Sequence, residues 1–346
     1  MPENEKSIKK SFFIGANTSH GFVRCADDVF EGLDRIYVIK GGPGCGKSTF
    51  MKRVAEQIEK SGARVERYFC SSDESSLDGI ASLSLGIGMI DGTSPHVYEA
   101  KYLGAKEIYL DFSELLNAGF LSQLKETVKS CADLKSECYA SAYKYLYIAE
   151  HLREEKEKLL YTCYDAKKAD KAAERLMKPL GRGEGHILRR RQISSLSMNG
   201  ESYLDTYEKM SDQVWNVSDL RGAYPFFIYN VLEKARSKDL KTDISYDYLG
   251  RPNALYFPER SVCITYNRDG ADKNINTERF IVKEKLRETR RRLRFLSSVE
   301  KELVDGAKDS LKMAKEHHFK LESIYSEAMD FEALNKMTEA FIKDKI

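Results

Sequence analysis

Apolar and polar positions along this chain fall into three patterns. The apolar run "RIYVIK" (Arg35–Lys40) leads into a glycine-rich loop, and "KSTFMKRVAEQIEKSG" behind it has apolar residues at helical spacing, which predicts strand, loop and helix in that order. Another strand is expected to begin near Arg64 and to run out into the loop "RYFCSSDESSLDG" (67–79). "LSLGIGMIDG" (83–92) is an apolar run ending on Asp91, and "SVCITYN" (261–267) again reads as a strand. The stretches 119–182 and 283–346 are rich in Ala, Leu, Lys and Glu and predict long helical hairpins. Tyr139, Tyr143 and Tyr147 recur every fourth residue there, as expected of a packing stripe between helices rather than a base-stacking platform.

The pattern repeats. A shift of 178 residues sets Val214 on Ile36, Gly222 on Gly44, Tyr246 on Tyr68 and Leu255 on Leu77, and brings "SVCITYN" close to "IGMIDG". A shift of 165 sets Ala307 on Ala142, Leu311 on Leu146, Ala314 on Ala149 and Asp330 on Asp165. Two shifts in the same order predict a duplicated unit. The expected divisions are 1–118 (first α/β half), 119–182 (helical extension), 183–282 (second half) and 283–346 (second helical extension).

The loop carries the chemistry. Gly41, Gly46, Lys47 and Ser48 fit G-x-x-x-x-G-K-[ST], with Gly42, Pro43, Gly44 and Cys45 in the variable positions and Thr49 following. Glycines let backbone N–H groups converge on phosphates, lysine places an ammonium on the β- and γ-phosphates, and the serine hydroxyl is a Mg²⁺ ligand. The helix N-terminus behind them adds a positive dipole end. ATP and Mg²⁺ are therefore the expected cofactors, held by 41–49, with Ser48 and Asp91 on the metal and Lys47 and Asp91 in catalysis. Gly92 stands where many active ATPases carry a glutamate after the metal-binding aspartate. Asp73 is then the preferred residue to orient water or an acceptor hydroxyl, with Glu74 and Asp78 in the same loop as other candidates. Thr93, Ser94 or His96 is a candidate to sense the terminal phosphate, against an ordinary Gly/Ser/Pro turn that explains 92–96 equally well and is the favoured reading for His96. In the second copy Asp219 falls on Gly41, Pro225 on Lys47 and Phe226 on Ser48, so no phosphate cradle is expected there.

Composition narrows the classes further. At 346 residues two domains are expected. The 56 basic and 54 acidic side chains leave a formal charge of +2, which removes any global electrostatic case for nucleic acid or an anionic membrane. Two arginine-rich runs, 185–192 and 286–296, read as solvated or ion-paired faces, against an arginine finger or a phosphate-contacting patch. No motif supports a nucleic-acid partner. Seven cysteines without a CxxC pair fit reduced thiols, and no run reaches the length of a membrane span, so a cytoplasmic protein is expected.

"FFIGANTSHGF", "KGGPGCGKSTFMKRVAEQ", "CSSDESSLDG", "GMIDGTSPH" and "SIYSEAMDFEALNKM" together resemble an uncharacterised bacterial family of tandem P-loop ATPases. The resemblance implies two related nucleotide-binding halves, each with a helical insertion. That family's second half often carries its own P-loop, and this chain departs from the pattern. The expected fold is thus α/β, a three-layer P-loop NTPase fold in tandem, with helical hairpin extensions and a degenerate second half. The leading function is an ATP/Mg²⁺-dependent ATPase or nucleotide switch with one competent site, acting on a protein or small-molecule partner that the sequence does not name. One alternative is a small-molecule kinase, against which the arginine-free segment after Asp91 counts. The other is a non-catalytic nucleotide-binding interaction protein. GTP is disfavoured because no guanine-reading N/T-K-x-D motif is present.

Overall fold

The computed structural model describes residues 9–93, 97–268 and 270–346. The first half contains β1 (Lys10–Phe13), β2 (Gly15–Thr18), β3 (Gly21–Arg24), α1 (Asp27–Glu31), β4 (Arg35–Lys40), α2 (Lys47–Lys60), β5 (Glu66–Phe69), β6 (Leu77–Ser82), β7 (Ile87–Asp91) and β8 (Glu107–Asp111). Then come α3 (Ala118–Gln123), the 37-residue α4 (Lys125–Tyr161) and α5 (Ala166–Met177). The second half repeats this with β9 (Leu188–Arg190), β10 (Ser194–Ser197), β11 (Gly200–Tyr203), α6 (Thr206–Lys209), β12 (Gln213–Ser218), α7 (Tyr224–Ser237), β13 (Thr242–Tyr246), β14 (Pro252–Phe257), β15 (Val262–Tyr266) and β16 (Lys273–Asn276). The 46-residue α8 (Lys283–Ala328) and α9 (Phe331–Lys345) complete it.

The duplication holds strand for strand. One six-stranded sheet runs β1-β5-β6-β7-β4-β8 and the other β9-β13-β14-β15-β12-β16. In both, β6 or its counterpart β14 is antiparallel to its two neighbours, and the remaining pairs are parallel. Each sheet also carries the same irregularity, between Tyr68 and Phe69 in β5 and between Ser245 and Tyr246 in β13.

The layers differ from two independent three-layer units. Alternate residues of β4 point to opposite faces. Tyr37 and Ile39 join Phe50, Met51 and Val54 of α2 in an outer cluster, while Ile36 and Val38 join an inner one. That inner cluster is shared: Ala254, Tyr256 and Cys263 of the second sheet belong to it, with Phe30 of α1 and Tyr207 of α6. The sheets thus bury their inner faces in one common core, since α1 and α6 are too short to cover a sheet.

The terminal helix of each half packs on the other half. Leu334 and Phe341 of α9 enter the cluster around α2, and Phe341 meets the rings of Tyr37 and Phe50 at 4.8 and 5.4 Å. Ala169, Ala173 and Met177 of α5 enter the cluster around Trp215 and Phe227. Two crossed bridges fix the exchange, Leu116 to Met329 and Tyr164 to Ile281, both antiparallel. Between these crossings α4 and α8 lie along each other, with Ala142, Leu146 and Ala149 against Val304, Ala307 and Leu311. Paired contacts run in opposite directions, Tyr145 with Gly306, Arg153 with Glu300 and Glu155 with Arg292, so the helices are antiparallel. Within the tyrosine stripe, Tyr143 donates to Asn17 Oδ1 at 2.9 Å, whereas Tyr147 is half exposed beside His151.

Candidate functional site

The loop after β4 is shaped by two residues in the left-handed region, Gly44 (φ 75°) and Gly46 (φ 80°), where a side chain would be strained. Gly46 precedes α2 directly, so the 14-residue helix presents its N-terminus to the loop. The glycines also admit neighbours from the other half. A Cβ on Gly44 would lie 2.5 Å from the Glu322 carbonyl oxygen of α8, one on Gly42 would meet the Tyr325 ring, and one on Gly46 would meet Leu334 of α9.

Lys47 is the first residue of α2 and is buried. Its Nζ donates to the carbonyls of Gly41 (2.9 Å) and Gly42 (2.7 Å) and lies 3.5 Å from Asp91 Oδ2. Ser48 Oγ accepts from the Leu77 N–H at 2.9 Å, which ties the helix start to β6. Asp91 ends β7 next to β4, and its carboxylate accepts from the N–H (2.9 Å) and hydroxyl (2.5 Å) of Thr93.

Opposite Asp91 stands Asp78. The β6–β7 register pairs Gly79 with Ile90, which sets these two carboxyls beside each other. Burial, and then the charge on Asp91, push the Asp78 carboxyl up to about 7, with Lys47 opposing. Asp73 lines the same cavity, but its carboxylate accepts from the N–H and hydroxyl of Ser75 at 3.1 and 2.8 Å and serves its own turn. Ser94 and His96 lie outside the described residues.

A cavity of about 560 Å³ joins the loop residues 41–49 to Asp73, Asp78 and Asp91. Its roof comes from the long helices: Lys135 and Tyr139 of α4, and His318 and Glu322 of α8. His318 Nε2 lies 3.5 Å from Glu322 Oε1, and this contact holds the Glu322 carboxyl below its usual range. Sequence reasoning missed these four, because the spacing of a long amphipathic helix does not say which polar residue faces a distant loop.

The residues fit a phosphate with a divalent cation. A cation, a helix N-terminus and loop glycines face one cavity, and the buried Asp78 carboxyl beside Asp91 adds negative charge that a divalent ion would offset. Among the described residues no cluster of three or more His, Cys, Asp or Glu side chains could hold a metal, so any ion here would rest on Asp91, Ser48 and bound phosphate oxygens.

The equivalent place in the second half is also a cavity, of about 690 Å³ and lined by Arg153, Lys156, Asp219, Arg221, Tyr224 and Arg268, but its loop carries a buried acid and no lysine. Asp219 is buried, and its carboxylate accepts from the N–H groups of Arg221 (3.1 Å) and Tyr224 (2.8 Å) and from the Thr277 hydroxyl (2.8 Å). A fixed carboxylate thus sits where the first half offers its helix N-terminus. Glu300 holds Arg153 and Lys156 at 2.7 and 2.5 Å, and Arg153 also holds Asp247 at 2.6 Å.

The arginine runs are accounted for separately. In 185–192, Arg189 pairs with Asp243, Arg191 with Glu66 across the shared core, and Arg190 covers Tyr246. Arg287, Arg290, Arg291 and Arg294 are exposed. They precede His318 on one helix by at least 24 residues, or about 36 Å at 1.5 Å per residue, too far for a finger reaching this loop. Among the described residues no helix is long and apolar enough to cross a membrane.

The family model described as Nephrocystin 3, N-terminal matches residues 27–139. The match runs from α1 into α4 and takes in the loop, both paired acids and Lys135, but nothing of the second half. No curated protein and no solved structure matches the chain. The chain is therefore similar over about a third of its length to the N-terminal region that this model describes, and the tandem family suggested by the sequence has no counterpart in these comparisons.

Proposed function

We propose that the first half is a P-loop nucleotide site that binds ATP with Mg²⁺ and works as an ATPase or nucleotide switch. The observation that carries this reading is Lys47, whose ammonium is gathered by loop carbonyls at the start of α2 and faces the Asp78–Asp91 pair. Lys47 exchanges those carbonyls for β- and γ-phosphate oxygens, and the first-turn N–H groups of α2 take the remaining phosphate charge. Ser48 and Asp91 hold the cation, which withdraws charge from the phosphates when bound.

Asp78, whose carboxyl is raised to about 7 and so is partly ionised at neutral pH, suits proton acceptance from an attacking water better than Asp73, which is tied to Ser75. The second half lends α9 and the end of α8 to this site and binds no phosphate at Asp219, which leaves one competent site. The test is equilibrium ATP binding and phosphate release with Mg²⁺, in wild type, Lys47→Ala and Asp91→Asn. Binding is lost in the first variant, and Mg²⁺-dependent turnover is lost in both. Unchanged ATP affinity in Lys47→Ala would sink the reading. Binding without turnover under any condition would leave a switch.

A further inference from the structure

The roof of the loop cavity contains a second cation that no carboxylate reaches at ion-pair distance among the described residues. Lys135 lines the cavity from α4, is partly buried, and among the described residues is held by neither a hydrogen bond nor an ion pair. Burying an unpaired ammonium is costly, and the cost shows: desolvation lowers its proton affinity, and the charge of Lys47 lowers it further. Its other charged or titratable neighbours are Cys70 and Glu322. Tyr139, one turn further along α4, senses Ser72, Cys70 and Asp78. Lys135 and Tyr139 line the same cavity as Asp78 and Asp91, the acids beside which a terminal phosphate is read.

The duplication supplies an internal control. The residue 165 positions on from Lys135 is Glu300, and the one 165 positions before His318 is Arg153. In the second half, where the loop has lost its lysine and Asp219 fills the anion position, the counterpart of Lys135 is an acid that neutralises two cations. In the first half, where the loop is intact, it is a cation left open to the cavity. The change of sign follows the presence of the loop.

We propose that Lys135 is a phosphate-binding residue of the first site, carried on the helical arm, which contacts the terminal phosphate of a nucleoside triphosphate and makes the site prefer tri- over diphosphate. The inference rests on the loop reading above and adds to it a residue that loop motifs do not contain. Through it the phosphate state of the ligand bears directly on α4.

The experiment is calorimetric titration of Mg-ATP and Mg-ADP into wild type, Lys135→Ala and Lys135→Arg, with Lys47→Ala alongside. A charge-assisted contact to one phosphate predicts a loss of about ten- to a hundredfold in ATP affinity for Lys135→Ala. ADP affinity should stay within about twofold, and Lys135→Arg should recover most of the loss. The ligand-free variant should melt no lower than wild type, because an unpaired buried charge has been removed. An equal fall in ATP and ADP affinity would make Lys135 a structural or base-side residue and overturn the proposal, as would an unchanged ATP-to-ADP ratio. If wild type binds neither nucleotide, the loop reading fails together with this one. If wild type binds ATP and only the Lys135 variants behave like it, the loop reading stands alone.

Discussion

Replacing Asp78 by Asn tests the acid pair without any ligand. The carboxyl titrates at 3.8 in an ordinary environment and at about 7 in the folded protein, so the folded state binds its proton more tightly. The stability this group contributes is complete below about pH 3.8 and is lost as pH rises through about 7. Each unit of pH across that window removes about 1.4 kcal/mol. At pH 8 the ionised pair costs the ligand-free fold on the order of 4 kcal/mol, and at pH 5 on the order of 1.5 kcal/mol. Asparagine keeps the shape and removes the charge, so Asp78→Asn should be the more stable protein, by a margin at least about 2 kcal/mol larger at pH 8 than at pH 5. Urea denaturation of both proteins at the two pH values, followed by tyrosine fluorescence and circular dichroism, reads this directly. A gain independent of pH, or a variant less stable than wild type at pH 8, would show that the Asp78 carboxyl is not held by burial beside Asp91.

Two further substitutions test the architecture. Phe341→Ala removes a buried ring of α9 that packs on Tyr37 and Phe50 of the other half, and should cost about 3–5 kcal/mol in urea denaturation; a loss under about 1 kcal/mol would mean that α9 does not dock there. Asp219→Ala should lower stability by about 2–3 kcal/mol, because it leaves the Tyr224 N–H and the Thr277 hydroxyl buried without their acceptor. Combined with Lys47→Ala, it should still bind no ATP by calorimetry, since Pro225 and Phe226 stand in the first turn of α7 where Lys47 and Ser48 stand in α2.

What could be read from the sequence was local or repeated. The loop was legible because its strand, glycines, lysine and helix are contiguous, and the duplication because two shifts kept apolar positions in phase. Asp78 was harder. "SLDG" reads as a turn by propensity, yet 77–82 is a fully buried strand, because pairing to β5 and β7 outweighs the poor strand preference of Asp and Gly. The exchange of α5 and α9 could not be read at all. An apolar stripe such as Leu334, Thr338 and Phe341 fits either sheet, and the choice is made by the Leu116–Met329 crossing, whose partners lie more than 200 residues apart. Lys135 was invisible for a related reason: nothing in α4 distinguishes it from the helix's solvated lysines until α8 and the loop are in place.

The exchange also gives the second half, which lacks the glycine-rich G-x-x-x-x-G-K-S loop, a structural part in the first. Without the second half, α2 would lack Leu334 and Phe341, and the loop would lose the end of α8 that lies against Gly42 and Gly44. The first site is therefore completed by the second half, whether or not that half binds anything. Asp219 satisfies the N-terminus of α7 permanently, and the Glu300–Arg153–Asp247 cluster fixes α8 to α4 and to the second half. At the far end of the same helix, the carbonyl of Glu322 rests against Gly44. The middle of α8 is thus tied down at Glu300 by charges built into the chain, and its C-terminal end sits on the loop where charge would arrive with a ligand. A phosphate entering beneath Glu322 would act on a 46-residue rod that is already anchored, so movement would be confined to the loop end and to α4 through Lys135.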